Sequence, residues 1–244
     1  MAHALGCTRS DLLLHRQHDP APASFAASIE RRAAHEPVAY ITGEAEFWGR
    51  TFRVTPATLI PRADSETLIR AALELAPAAK RVLDLGTGTG ALLLTYLAET
   101  DASGVGIDAS GAACAVAAEN AAGLDLAARA AILHRSWREP AWQEGLGDFD
   151  LVLCNPPYVE DGADLAPDVR NHEPASALFA GPEGLDDCQI LLPQIRALLN
   201  PDAVAIFEIG HTQAQAVAAI ARSNGFVTEQ RHDLAGRVRA LILG

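Results

Sequence analysis

Beyond Pro77 the sequence settles into a repeating texture, short apolar runs separated by stretches with helical spacing, and this alternation restricts the fold more than any single residue does. A short run of Val, Leu, Ile and Ala with few polar breaks suits a strand covered on both faces. Such strands are joined by helical crossovers and run parallel. The expected strands are Arg81–Leu85, Gly104–Asp108, Ala130–His134, Phe149–Cys154 and Ala203–Ile209, and the expected helices between them are Ala91–Glu99, Gly111–Ala122, Asp186–Leu199 and Thr212–Ser223. Two further β-like runs, Phe226–Arg231 and Arg237–Leu243, close the chain. The polar turn between them is too short for a parallel crossover, so the last strand is expected to be antiparallel to the rest. The result is a Rossmann-like α/β fold on a mostly parallel, seven-stranded sheet.

The segment ahead of this domain has a different character. From Thr8 to Glu36 the spacing of Leu12, Leu13 and Leu14, a proline-containing break, and then Phe25 and Ile29 predict a small helical lobe. After Pro37 the residues become β-type: Val38 to Thr42, Glu46-Phe47-Trp48, a Gly49-Arg50 turn and Thr51 to Val54 predict a β-hairpin. Pro56 and Pro61 bracket an extended stretch, and Asp64 or Ser65 is placed to cap a helix that begins at Glu66. The expected division is a helical lobe over 1–36, a hairpin and linker over 37–63, and the main domain over 64–244. A chain of 244 residues suits one full α/β core with a small appendage.

Charge narrows the partners. A formal net charge of -12 opposes stable binding to nucleic acid, which draws its affinity from Lys and Arg on phosphates. No apolar stretch approaches the ~20 residues of a membrane span, and Met1 to Pro20 carries His, Arg and Asp where a signal peptide has an apolar core. No membrane association and a cytoplasmic location are expected. Cys7, Cys114, Cys154 and Cys188 have neither CxxC nor zinc-like spacing and read as reduced thiols. His172 and His211 stand alone, and no HExxH, GxSxG or P-loop lysine occurs, so no metal site or nucleophile elbow is expected.

Two places carry chemistry. The first expected strand ends in Asp84-Leu85-Gly86-Thr87-Gly88-Thr89-Gly90, and a helix follows at once. Glycine at alternate positions permits a tight strand-to-helix turn with its amides open to a ligand. The next strand ends at Asp108, 24 positions beyond Asp84, the spacing of an acidic residue that bonds ribose hydroxyls. The dinucleotide pattern GxGxxG is absent, and an Asp two residues before the first Gly suits an ammonium group better than a pyrophosphate. S-adenosylmethionine presents an ammonium, a ribose and an adenine without attached phosphate. Trp137, after the third strand, is placed to offer a ring face to that adenine, although a large aromatic there is as often plain core.

The second place is Asn155-Pro156-Pro157-Tyr158, directly after the apolar run Leu151 to Cys154 and so at the carboxyl edge of the sheet. An amide NH2 is a poor nucleophile because its lone pair is delocalised into the carbonyl. Two acceptors on its two hydrogens turn that lone pair toward an electrophile. The Asn155 side-chain oxygen and the Pro156 carbonyl are the expected acceptors, Pro157 adds no competing N–H, and Tyr158 is expected to stack on the planar amide.

At these residues the chain resembles one family, the release-factor glutamine methyltransferases (the HemK/PrmC family), which methylate the glutamine of the Gly-Gly-Gln motif in class I peptide chain release factors. The resemblance also rests on Glu36 to Gly43, Glu46-Phe47-Trp48, Thr58-Leu59-Ile60-Pro61-Arg62, Glu173-Pro174 and Asp233 to Arg237, and runs almost unbroken from Arg31 to the end. It implies a class I S-adenosylmethionine-dependent methyltransferase fold, S-adenosyl-L-homocysteine as the second product, and docking to the GGQ loop of a release factor. It implies that Gly86 to Gly90, Asp108, Trp137 and Asn155 hold the cofactor, with Asp84 beside its amine, and that Asn155 to Tyr158 hold the glutamine. Two features depart from the family pattern. Relatives usually carry a longer helical domain than the residues ahead of Pro37, and Ser136 stands where they tend to have an Asp expected to bond the adenine amino group. The alternatives are an N-methyltransferase for an exocyclic base amine of DNA or RNA, or for another protein glutamine. A DNA enzyme of this kind needs a basic groove and a recognition insert, neither of which this acidic chain offers. A dehydrogenase would need the missing pyrophosphate fingerprint, and a non-catalytic nucleotide-binding protein has no use for Asn155 to Tyr158.

Overall fold

The computed structural model describes residues 1–244. Helices α1 (Arg9–His15) and α2 (Ala23–Ala33) come first, and neither contains a buried residue. Thr8 caps α1 by accepting the Asp11 backbone N–H at 3.0 Å. Helix α3 (Val38–Thr42) follows, then the hairpin of β1 (Glu44–Phe47) and β2 (Arg50–Arg53). The main domain runs α4 (Glu66–Leu75), β3 (Arg81–Leu85), α5 (Ala91–Glu99), β4 (Ser103–Asp108), α6 (Gly111–Gly123), β5 (Ala130–His134), β6 (Phe149–Cys154), α7 (Pro167–His172), α8 (Asp186–Ile195), β7 (Leu199–Glu208), α9 (Ala214–Ser223), β8 (Thr228–His232) and β9 (Val238–Leu243).

The β-type segment Val38 to Thr42 is a helix, which corrects the expected first strand of the hairpin. Pro37 leads into it with φ -57°, and Gly43 ends it in the left-handed region at φ 79°, returning its N–H to the Ala39 carbonyl at 2.7 Å. Tyr40 is buried with its hydroxyl on the Thr58 carbonyl at 2.6 Å, so tertiary contact outweighs the weak strand preference of Val, Ile and Thr. The hairpin turn falls one residue earlier than expected, at Trp48-Gly49, where φ is 52° and 69°. Positive φ at both turn residues matches the right-handed twist of the strands it joins. Ser65 does not cap α4 with its side chain, and its hydroxyl points elsewhere, as does the Asp64 carboxylate, which pairs with Arg239 at 2.9 Å.

The seven-stranded sheet has the order β5-β4-β3-β6-β7-β9-β8; β3 through β7 are parallel, and β9 runs antiparallel to both neighbours. Side chains alternate between its two faces. Leu83, Leu85, Val152, Cys154, Phe207 and Leu241 pack beneath α8 and α9, whereas Val82, Leu151, Leu153, Ile206 and Ile242 pack against α4 and α5. Apolar residues on both faces of every central strand are what produced the unbroken runs in the sequence. The chain winds outward through β4 and β5 on one side of β3 and through β6 and β7 on the other. The reversal therefore lies between β3 and β6, where Leu85 pairs with Cys154. Open α/β sheets hold ligands beyond the carboxyl ends of the strands at such a point. No helix is long and apolar enough to cross a membrane.

Candidate active site

Because Leu85 and Cys154 are paired, Gly86 and Asn155 leave the sheet side by side. The loop after β3 turns through Gly86, Gly88 and Gly90 at φ 75°, 54° and 81°, and the N–H groups of Gly86 and Thr87 both donate to the Ile107 carbonyl at 2.9 Å. Any other residue at Gly86 would strain the backbone and press its Cβ to 3.1 Å from the Trp137 ring. Asp108, at the end of β4, holds the loop from the far side: one carboxylate oxygen accepts the Gly88 N–H at 2.9 Å and the other the Ser110 N–H at 2.8 Å.

Asp84 lies beneath this loop, 1% exposed. Its Oδ2 accepts the Thr87 hydroxyl at 2.7 Å and the Leu93 N–H at 3.4 Å, while Oδ1 is buried without a partner. Burial pushes its carboxyl up to about 7 against the pull of these hydrogen bonds. A half-satisfied buried carboxylate favours a ligand that brings a positive charge.

Trp137 donates its indole N–H to Asp187 Oδ1 at 2.8 Å, and Arg138 donates to the same oxygen at 2.8 Å. Asp187 Oδ2 is buried and unpartnered. Across the switch point, Asn155 donates its Nδ2–H to Ser65 Oγ at 3.3 Å, and no group of the chain donates to its Oδ1. Tyr158 turns its hydroxyl away from the loop and donates to Glu208 Oε1 at 3.1 Å, while its carbonyl accepts from Gln213 at 2.9 Å. The Pro156 carbonyl accepts no hydrogen bond from the chain.

One cavity of about 450 Å³ joins the two places, inside the ~300–1,000 Å³ range of small-molecule sites. Of the residues expected from sequence, Asp84, Gly86, Thr87, Gly88, Thr89, Asp108, Trp137, Asn155 and Pro157 line it, and so does Ser136. Gly90, Pro156 and Tyr158 do not: Gly90 begins α5 and faces Leu94, Pro156 is buried, and Tyr158 is held by Glu208. The outer wall is the 58–62 segment with Ser176 and Phe179. Glu173 fixes that segment, taking the Ile60 N–H at 3.2 Å and pairing with Arg62. Sequence reasoning missed Ser65 as a site residue, along with Asp187 and Glu208. Glu208 carried a signal, since like Asp84 and Asp108 it is an acid at the end of an apolar strand. Asp187 carried none, because its partner Trp137 is 50 residues away.

A parallel sheet wound both ways from β3, with a glycine turn on one strand and an amide-bearing exit from its neighbour, defines a class I methyltransferase, an enzyme of the S-adenosylmethionine-dependent kind. Residues 63–172 match the methyltransferase small domain family, and residues 1–43 match the PrmC N-terminal domain family. The chain is 42% identical over 238 residues to the release factor glutamine methyltransferase of Caulobacter vibrioides, covering 93% of this chain and 80% of that one. It is 43% identical over 247 residues to the release factor glutamine methyltransferase of Cereibacter sphaeroides, covering 98% and 86%. It belongs to the release factor glutamine methyltransferase family. Among solved structures, a methyltransferase from Pyrococcus furiosus has the same fold, with a TM-score of 0.59 at 16% identity over 91% of this chain and 98% of that one.

Proposed function

We propose that this chain transfers the methyl group of S-adenosylmethionine to the side-chain N5 of the glutamine in the GGQ loop of a class I peptide chain release factor, in the cytoplasm. The observation that carries the reading is a single cavity whose lining brings together a half-satisfied buried carboxylate, Asp84, and an amide oxygen free of protein donors, Asn155 Oδ1. The residues fit the cofactor. Asp84 Oδ1 takes the ammonium, Asp108 keeps lone pairs for ribose hydroxyls, and Trp137 and Ser136 meet the adenine. Bound there, S-adenosylmethionine supplies an electrophilic methyl on a sulfonium and leaves as S-adenosyl-L-homocysteine.

The rest of the reaction belongs to the chain. Asn155 Oδ1 accepts one hydrogen of the glutamine amide; the Pro156 carbonyl, which has no partner in the chain although the residue stands outside the cavity lining, is the acceptor proposed for the other. Together they turn the lone pair toward the methyl, Pro157 adds no donor to compete, and one amide proton leaves to solvent as the N–C bond forms and the S–C bond breaks. Orientation of this kind is worth effective molarities of roughly 10⁵ M or more. Tyr158, tied to Glu208, supports the loop from behind. Residues 1–36, 37–63 and 64–244 then divide as docking lobe, linker hairpin and catalytic domain.

The test is incubation of the protein with purified class I release factors and methyl-labelled cofactor, followed by mass mapping of the labelled peptide. Label on the GGQ glutamine is the expected result. Label on added DNA or RNA, or on no glutamine, overturns the reading.

A further inference from the structure

Asn155 acts as an acceptor toward a substrate NH2 only if its amide is held one way round, oxygen toward the cavity and nitrogen away. The two orientations have nearly the same shape, so packing alone cannot choose between them. Hydrogen-bond polarity can.

Behind Asn155 runs a short polar chain. Glu208 ends β7 at 1% exposure. Its Oε2 accepts the Ser65 hydroxyl at 2.5 Å, and its Oε1 accepts the Tyr158 hydroxyl at 3.1 Å. Ser65 in turn accepts the Asn155 Nδ2–H at 3.3 Å. We propose that Glu208 and Ser65 are positioning residues that set the polarity of the Asn155 amide: the buried carboxylate claims the one hydroxyl proton of Ser65, which leaves Ser65 only lone pairs to offer, so Asn155 must turn its NH2 to Ser65 and its oxygen to the cavity. An ionised carboxylate has no donor, so the order of the chain cannot reverse while Glu208 is charged. Three elements from distant parts of the sequence converge here, Ser65 ahead of α4, Asn155 after β6 and Glu208 at the end of β7.

The inference rests on the function proposed above, since only an NH2 substrate needs an oxygen there. It also makes the reaction sensitive to acid. The groups facing Glu208 are Tyr158, Arg239 on β9, Asp64 paired with Arg239, and the buried Cys154 thiol. Burial raises the Glu208 carboxyl above the usual carboxylate range despite the hydroxyls and Arg239. As the pH falls through that raised value, Glu208 gains a proton, Ser65 is released to donate, and the Asn155 amide is free to invert.

The test compares Ser65→Ala, Ser65→Thr and Glu208→Gln with the unchanged protein at saturating cofactor, reading kcat, KM for the release factor, cofactor affinity by calorimetry and the thermal midpoint. Glu208→Gln keeps the shape but can present an N–H to Ser65. Expected are kcat values roughly 10- to 100-fold lower for Ser65→Ala and Glu208→Gln, with cofactor affinity and thermal midpoint little changed. Ser65→Thr recovers most of the rate, and the acid limb of kcat vanishes in Glu208→Gln. In parallel, ¹⁵N NMR follows the Asn155 side-chain NH2, whose resonances are expected to shift in Ser65→Ala and as the unchanged protein is acidified. This readout is independent of the substrate, so an unchanged protein inactive on release factors would refute the function without touching the polarity relay. Rates within about twofold of the unchanged protein, or kcat lost only together with folding, or NH2 resonances indifferent to Ser65, would each overturn the inference.

Discussion

Asp84 carries one bonded oxygen and one bare oxygen in a buried place, and that asymmetry has a measurable sign. Its carboxyl is pushed up to about 7 in the free protein, above its ordinary value of 3.8. The folded state therefore binds the proton more tightly than the unfolded chain, and this group costs stability progressively as the pH rises from about 4 to about 7, then no further. An ammonium beside Oδ1 favours the ionised form. Cofactor affinity should thus be level above pH 7 and weaken as the pH falls below it, with proton release on binding, and Asp84→Asn should bind more weakly with that slope removed; calorimetry at several pH values and in buffers of different ionisation enthalpy checks both. Asn155→Ala is expected to lower methyl transfer by at least ~100-fold, in line with losing one preorganised group at a reacting centre, while cofactor binding is weakened but still measurable by calorimetry. Asp108 and Asn155 were legible in the sequence because one ends an apolar strand and the other opens the loop after one, and Asp84 was legible as an acid inside an apolar run directly ahead of the glycine turn. Tyr158 was expected to stack on the substrate amide, whereas it stands outside the cavity lining with its hydroxyl held by Glu208 at the end of β7.

The elements differ in how far local sequence determined them. Strands β3 to β6 and the helices α5 and α6 follow the apolar pattern to within a residue or two, since each repeats its period long enough to be read. Strand β7 begins at Leu199, four residues ahead of the expected Ala203, because an irregularity in the ladder lets Leu199 pair with Phe149 before Val204 pairs with Leu151. Helix α3 does not, because five residues with strand preference were overruled by Gly43, Pro37 and the burial of Tyr40. Helix α8 ends at Ile195 and tightens into a 3-10 turn over Arg196–Leu198, where a continuous helix to Leu199 was expected; Pro193 within it lacks the N–H needed for a regular ladder. The loop ahead of α8 is more demanding than it looks. Gly184 sits at φ 67°, and a Cβ there would overlap the Tyr158 carbonyl oxygen and the Gln213 amide. Gly184→Ala is expected to cost at least ~2 kcal/mol, combining left-handed strain with a backbone clash. Urea denaturation measures the loss, and kcat should fall with it, because the displaced segment is the one that follows Asn155.

At the scale of the whole molecule, a two-faced core supports a thin helical lobe. Leu13, Leu14 and Ile29 on α1 and α2, and Val38 on α3, are exposed although apolar, and the lobe meets the catalytic domain partly through polar contacts such as His172 Nε2 to the Ala34 carbonyl at 3.1 Å. Leu14→Asp and Ile29→Asp should therefore leave unfolding free energy within about 0.5 kcal/mol and raise KM for the release factor without changing kcat; unaltered KM in both would separate the lobe from docking. The sequence by itself determined that the chain makes a doubly wound α/β sheet with an antiparallel end and that its chemistry lies after the first and fourth strands of that sheet, because strand burial and turn conformation are written in neighbouring residues. Only the tertiary structure decided that Leu85 and Cys154 pair, that Asp84 keeps a bare oxygen, and that Ser65, Asn155 and Glu208 share one hydrogen-bonded chain. Those facts depend on groups up to 143 residues apart meeting at one sheet edge, and no local pattern encodes which distant partner will satisfy a buried polar atom.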